Sequence, residues 1–230
     1  MAIPYKEDRC LICKSKSSCF THLNVDELGL VDNNRLEVKY RSGELICKQG
    51  SFASHILFLK KGLVKVYLEG KSKNHILSIT SKGNLIGLPS LFGDPIFHYS
   101  VVAYEDSAVC HIDINVFKKF IHENAQFSAE LIKLINENTI NNYERFLSVT
   151  QKNMPGRFAD VLLYFSDQIY KSTSFSLSLS RKDLAEFSSM SVESLSRTIK
   201  DFNDNNIVSV KGKNFEIVDR SRLIEISLHG

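Results

Sequence analysis

Five of the 230 residues are cysteines, at Cys10, Cys13, Cys19, Cys47 and Cys110, and three of them fall within ten residues. A Cys-x-x-Cys pair followed by a third nearby thiol is the spacing with which thiolates hold zinc or an iron–sulfur cluster. The start, MAIPYKEDRC, is charged and carries no apolar export core, and no run of about 18 apolar residues occurs in the sequence. The expected compartment is therefore the cytoplasm, with no membrane partner, and there thiols stay reduced. An odd, clustered set of thiols then points to metal or cofactor ligation rather than a disulfide framework. Cys47 lies in an alternating strand pattern and reads as a small buried hydrophobe. His55, His75, His98 and His111 fall on strand patterns and read as structural rather than as haem ligands.

A second chemical pattern lies near the C-terminus. Val192, Leu195, Ile199 and Phe202 form an apolar stripe at helical spacing, leaving Glu193, Ser196, Arg197 and Lys200 on the opposite face. Arg197 has the fork to bind guanine O6 and N7, Glu193 can accept from cytosine N4, and Ser196 is small enough to permit close approach. Ser180 and Asp183 have the spacing of a helix cap, with Leu184 and Phe187 facing inward behind it. Ser188-Ser189-Met190 breaks that helix, and Ser191 can cap the next. Many helix-turn-helix units place a glycine in the turn, where this sequence offers Ser189. After Asn205-Asn206, two short strands turn about Gly212. Lys211 and Lys213 at its tip, with Arg181 and Lys182, suit phosphate contacts on double-stranded DNA. Helix, turn, helix and hairpin is the order of a winged helix-turn-helix.

The elements that position these two groups differ in kind. Residues 35–113 read as short strands punctuated by Gly70, Gly83, Gly87 and Gly93-Asp94-Pro95, with alternation at Leu36, Val38 and Tyr40; this predicts a β-sandwich or roll. From Val116 to Thr150 there is neither glycine nor proline, and a long helix is expected from Asn124–Ala125. Its rows, Phe127, Leu131 and Leu134, then Ile132 and Ile135, imply packing against its own domain and against something else. Met154-Pro155-Gly156 interrupts the chain before a further helical run through Phe158, Val161, Leu162, Phe165 and Ile169. The fold class expected is α+β. Its expected parts are a cysteine-bearing segment (1–30), a β-roll (31–123), a long helix (124–150) and a winged helix-turn-helix (151–230). The net charge of +3, with eleven basic against ten acidic residues in 151–230, neither requires nor excludes a nucleic-acid partner.

This order of parts resembles the CRP/FNR family of bacterial transcription regulators over nearly the whole chain. The most specific stretch, Val192-Glu193-Ser194-Leu195-Ser196-Arg197, is similar to the recognition helix of the FNR branch, with its E-x-x-S-R signature. The resemblance implies a β-roll like that of cyclic-nucleotide-binding domains and TTGA-type half-sites read as a palindrome by a homodimer. It further implies a dimer helix using Phe127, Leu131, Leu134, Ile135, Asn138 and Asn142, and RNA polymerase as a partner. The N-terminal thiols reproduce the ligand segment of FNR-type oxygen sensors. Ala108-Val109-Cys110 occupies the place from which that group draws its fourth ligand. A 4Fe–4S cluster on Cys10, Cys13, Cys19 and Cys110 is what the resemblance implies, with oxygen attacking the cluster and weakening the dimer.

Other readings of the same residues stay open. Four thiols suit zinc as well as an iron–sulfur cluster, and a small-molecule effector in the β-roll would need no metal. Cyclic AMP is disfavoured: Gly83 is followed by Asn84-Leu85, and no arginine lies between Arg41 and Arg145 to bind its phosphate. The segment Asn138-Thr-Ile-Asn-Asn-Tyr143 also lacks the interface carboxylate of FNR-type sensors. An enzyme on the roll would need a metal-binding His pair, and residues 35–113 contain no H-x-H.

Overall fold

A computed structural model describes residues 10–13, 15–71 and 74–230. The charged opening stretch, and with it part of the expected segment 1–30, lies outside the described residues. The chain divides into two compact units, residues 1–139 and 140–230. Among the described residues no helix is long and apolar enough to cross a membrane.

The first unit is built on two four-stranded antiparallel sheets. Strands β1 (Arg35–Tyr40), β8 (Ser107–Asp113), β3 (His55–Lys61) and β6 (Leu85–Ile86) lie side by side in that order; β2 (Leu45–Cys47), β7 (Ser100–Ala103), β4 (Leu63–Leu68) and β5 (His75–Ser81) form the other. Alternation along each strand sends one set of side chains between the sheets, where Leu57, Leu59, Val64, Val101 and Val109 pack with Cys47. On the β1-β8-β3-β6 sheet the other set, with Ile56, Phe58, Cys110 and Ile112, faces outward under a helical cover. This cover consists of a 3-10 turn (Ser18–His22), α1 (Val25–Asn33), α2 (Ile114–Glu123) and the start of α3 (Ala125–Gln151). Phe20, Phe117, Phe120 and Phe127 bring their rings together there, with centroids 5.5 to 6.3 Å apart. Gly62 joins β3 to β4 at φ +101°, with Ser107 so close that any added Cβ would collide with it.

Two expectations need correction here, and one element was not foreseen. Leu36 is 49% exposed and Glu37 is buried, reversing the expected alternation at the start of β1, because Arg35 and Lys60 bind the Glu37 carboxylate on the covered face. The long helix begins at Ala125, as expected, and a separate helix, α2, precedes it. Asn124, extended at φ −125°, breaks the two apart and caps α3 by accepting from Phe127 N–H at 3.0 Å. Finally, Met154-Pro155-Gly156 does not interrupt the chain but forms the first turn of α4 (Met154–Tyr164), where proline costs no hydrogen bond and Asn153 accepts from Gly156 N–H. The interruption is at Lys152–Asn153.

The second unit takes the end of α3 and α4, a π-helical segment (Phe165–Tyr170) and β9 (Ser174–Ser176). It continues with α5 (Arg181–Phe187), α6 (Val192–Asp204), β10 (Val208–Lys211), β11 (Asn214–Ile217) and α7 (Arg220–His229). The strands form one antiparallel sheet in the order β10-β11-β9, so the expected hairpin gains a third strand. Asp160 on α4 accepts from Ser148 at 2.5 Å, Lys152 at 2.8 Å and Ser227 at 2.5 Å, tying the end of α3 and α7 to one carboxylate.

Candidate metal centre and DNA interface

Strand pairing brings Cys110 to the covered face. Its register partners are Glu37 on β1 and Phe58 on β3, so all three lie in one row across the sheet. Above that row a half-open cavity is lined by Cys10, Cys13 and Cys110, together with the cations Lys16, Arg35 and Lys60. Its open space is about 20 Å³, enough for about one water. Three of the four expected thiols, far apart in sequence, thus face one space.

Cys19 does not join them at the cavity wall. It is fully buried in the same apolar cluster, its thiol directed at Ser17 Oγ 3.5 Å away. Among the described residues no three His, Cys, Asp or Glu side chains stand close enough to hold an ion as they are. The donor set nevertheless fits a thiolate-bound group in type and charge. Soft sulfur donors converge, and of the three cations at the rim Arg35 and Lys60 are already paired with Asp32 and Glu37, which leaves a net positive charge beside the thiols through Lys16.

Burial pushes the Cys10 thiol up, with Arg35 opposing, and pushes Cys19 and Cys110 up to about 11. Without a bound cation these sulfurs therefore hold their protons at neutral pH, and binding a metal releases them. Arg35 is the residue that sequence reasoning missed. Its side chain is 3% exposed and bonds Asp32 at 2.9 Å and Glu37 at 3.2 Å, and it donates to Cys110 Sγ at 3.6 Å. Asp32 in turn accepts from the backbone N–H of Cys10 at 3.4 Å. Burial works against the Arg35 charge; Cys10 and Cys110, once deprotonated, and the Asp32 carboxylate more than offset that penalty, so the guanidinium stays protonated.

The second unit carries the other candidate site. Ser180 caps α5, accepting from Asp183 N–H at 3.0 Å, and Ser191 caps α6, accepting from Ser194 N–H at 3.1 Å. Leu195, Ile199 and Phe202 are buried as the periodicity predicts. Val192 is a correction: at the first turn of α6 it is exposed rather than part of the inward stripe. Glu193, Ser196, Arg197 and Lys200 are all exposed on one helix face. The backbone N–H and Ser191 hold the Glu193 carboxyl below its ordinary value. Ser196 Oγ donates to Val192 O at 2.8 Å, and Arg197 reaches Ser194 Oγ at 3.4 Å. Lys182, Lys211 and Lys213 are exposed. Arg181, expected on a phosphate, is also exposed, and its Nη2 donates to the Gly212 carbonyl at 2.9 Å.

Phe127 and Leu131, expected at a dimer seam, are buried in the core of the first unit and offer no surface. Leu134 is half-covered by that core, while Ile135, Asn138 and Asn142 are exposed.

A β-roll followed by a helix-turn-helix with a three-stranded wing defines a regulator that binds DNA, and the comparisons agree. The cyclic nucleotide-binding domain family matches residues 37–124, and the Crp-like helix-turn-helix domain family matches residues 156–226. The fumarate and nitrate reduction regulatory protein of Vibrio cholerae serotype O1 is 26% identical over 227 residues, spanning 95% of this chain and 90% of its own. Electron transport regulator A of Shewanella oneidensis is 26% identical over 223 residues, spanning 93% of this chain and 88% of its own. Among solved structures, FixK2 from Bradyrhizobium japonicum shares the fold at a TM-score of 0.77 and 20% identity, covering 84% of this chain and 96% of that one. The chain belongs to the CRP/FNR family of transcription regulators, in its FNR-like branch, and is a regulator rather than an enzyme.

Proposed function

We propose that this chain is a cytoplasmic regulator switched by a redox- or oxygen-sensitive 4Fe–4S cluster on Cys10, Cys13, Cys19 and Cys110. It binds TTGA-type palindromes as a homodimer and works with RNA polymerase. The observation that carries the reading is the convergence of Cys10 and Cys13 with Cys110, across a hundred residues of sequence, on one cavity rimmed by cations. A bound cluster supplies a centre that oxygen or another oxidant attacks. The chain supplies the thiols, the cationic rim and the N-terminal segment that the site holds down. Cys19, buried beside Ser17 in the same cluster, would be the remaining thiol of the set. The cyclic nucleotide-binding family match is a match of domain; Gly83 is followed by Asn84-Leu85 and no arginine lies between Arg41 and Arg145, which disfavours a cyclic phosphate as the effector. On the DNA side, Glu193, Ser194, Ser196, Arg197 and Lys200 read or approach bases, while Lys182, Lys211 and Lys213 hold phosphates.

Anaerobic purification with an absorption spectrum and iron and sulfide analysis tests the metal reading. A brown protein whose broad visible band bleaches in air supports it; a colourless preparation, with zinc or with no metal, overturns it. Arg197→Ala tests the reading helix. Binding to an inverted TTGA repeat should weaken by roughly 1–3 kcal/mol per half-site, with preference relaxed at one base pair in each. Unchanged discrimination would remove α6 as the reader.

A further inference from the structure

The wing turn is only two residues long, Gly212 and Lys213, between the paired Lys211 and Asn214. Gly212 lies in the left-handed region at φ +65°. A two-stranded hairpin is marginal alone, and its tip is where it frays first. Here both carbonyls of the turn are held from outside the hairpin. Leu177 N–H, just beyond β9, donates to Lys213 O at 2.9 Å, and Arg181 Nη2 donates to Gly212 O at 2.9 Å. The Arg181 guanidinium also lies 5.4 Å from the centroid of the Phe215 ring. Phe215 stacks on Phe175 at 6.1 Å, and Phe175 on Tyr170 at 5.1 Å, each pair within 4° of parallel. The arginine thus ends an aromatic ladder that runs through the wing sheet.

From this arrangement we infer that Arg181 is a positioning residue, which serves DNA binding by fixing the wing that presents Lys211 and Lys213 and not by holding a phosphate itself. A planar fork that can stack and donate at once is needed for this; an ammonium of equal charge does neither in the same geometry. The two roles therefore separate on charge. A phosphate contact survives Arg181→Lys and is lost in Arg181→Gln, whereas the wing clamp is lost in both.

The experiment uses the full chain with Arg181→Lys, Arg181→Gln, Lys213→Gln and the Arg181→Lys, Lys213→Gln double variant. Amide hydrogen exchange at Gly212, Lys213 and Asn214 is read without DNA. Affinity for a duplex carrying an inverted TTGA repeat is then read across a salt series under anaerobic conditions. The expected result is faster exchange at the wing turn in Arg181→Lys and an affinity loss of roughly tenfold. The dependence of log affinity on log salt should stay unchanged, and the overall unfolding midpoint should hold. Lys213→Gln should cost less in the Arg181→Lys background than alone. The inference is overturned if turn amides exchange at the wild-type rate in Arg181→Lys. It is equally overturned if Arg181→Lys binds like wild type while Arg181→Gln lowers the salt slope by about 0.9 per site, the mark of a lost phosphate contact.

Discussion

Arg35 shows how a single residue can organise a site without being one of its expected members. Its guanidinium is almost wholly shielded, yet it meets two carboxylates and a thiol, and Glu37 is shared with Lys60 at 3.0 Å. Such a network is held together by completeness, because removing one charge strands the others in a poorly solvated place. Arg35→Leu should therefore cost about 3–5 kcal/mol in urea unfolding of the metal-free protein. Arg35→Leu with Glu37→Leu should recover part of that loss, since the stranded carboxylate is gone. A loss below about 1 kcal/mol in the single variant would show the network to be solvated after all. The meeting of Cys10 and Cys13 with Cys110 was legible in the sequence, because the first two are clustered with Cys19 and Cys110 sits in a recognisable stretch. Arg35 was not: it reaches Cys110 only through the register of β1 on β8, which pairs residues some seventy positions apart. The inward turn of Cys19 was hidden for a related reason, since spacing reports which thiols are neighbours along the chain and says nothing of which way a 3-10 turn points them.

The helix ends of the second unit were half legible. Serine caps at Ser180 and Ser191 follow from composition alone and are present. The C-terminal ends of α5 and α6 share one device. Met190 N–H bonds Ala185 O, Ser189 N–H bonds Glu186 O, Ile207 N–H bonds Phe202 O and Asn206 N–H bonds Asn203 O. Both are Schellman closures, which put one residue in the left-handed region, usually a glycine. Here those residues are Ser189 at φ 52° and Asn206 at φ 54°. Asparagine tolerates that region; serine pays more for it. Ser189→Gly should thus stabilise the protein by about 0.5–1 kcal/mol without altering the angle between α5 and α6. Thermal unfolding with unchanged DNA discrimination is the check, and a lower midpoint would show that the serine side chain contributes something the backbone bonds do not. Helices α2 and α7 were missed for opposite reasons. The first runs almost directly into α3 with only Asn124 between them. The second is short and buries a single residue, Leu223, too little to make a periodic signal.

At the scale of the whole molecule, α3 carries more apolar surface than its own chain covers. Ile132, Ile135, Ile140, Tyr143, Phe146 and Leu147 are all exposed, and at 100° per residue they fall on one side of the helix. The inner row, Phe127 and Leu131, is spent in the core of the first unit, so the seam of the proposed homodimer must lie further along the helix than periodicity alone placed it. A continuous exposed stripe of this kind is a liability for a monomer and a fit for a second copy of the same helix. Asn138 and Asn142 border it, and no acid stands between Asn138 and Tyr143 to drive two copies apart. Nothing in that seam therefore depends on the thiol site for its charge balance, and the metal-free chain should already associate. Sedimentation of wild type against Tyr143→Glu with Phe146→Glu separates the cases. Wild type should run as a dimer in the micromolar range, and the double variant, with two carboxylates on each facing helix, should run as a folded monomer. The same variant should lose binding to an inverted repeat far more than to a single half-site, because only the repeat engages both reading heads at once. A wild-type monomer without the cluster and a dimer with it would instead place the switch in the seam itself, making association the step that the thiol site controls.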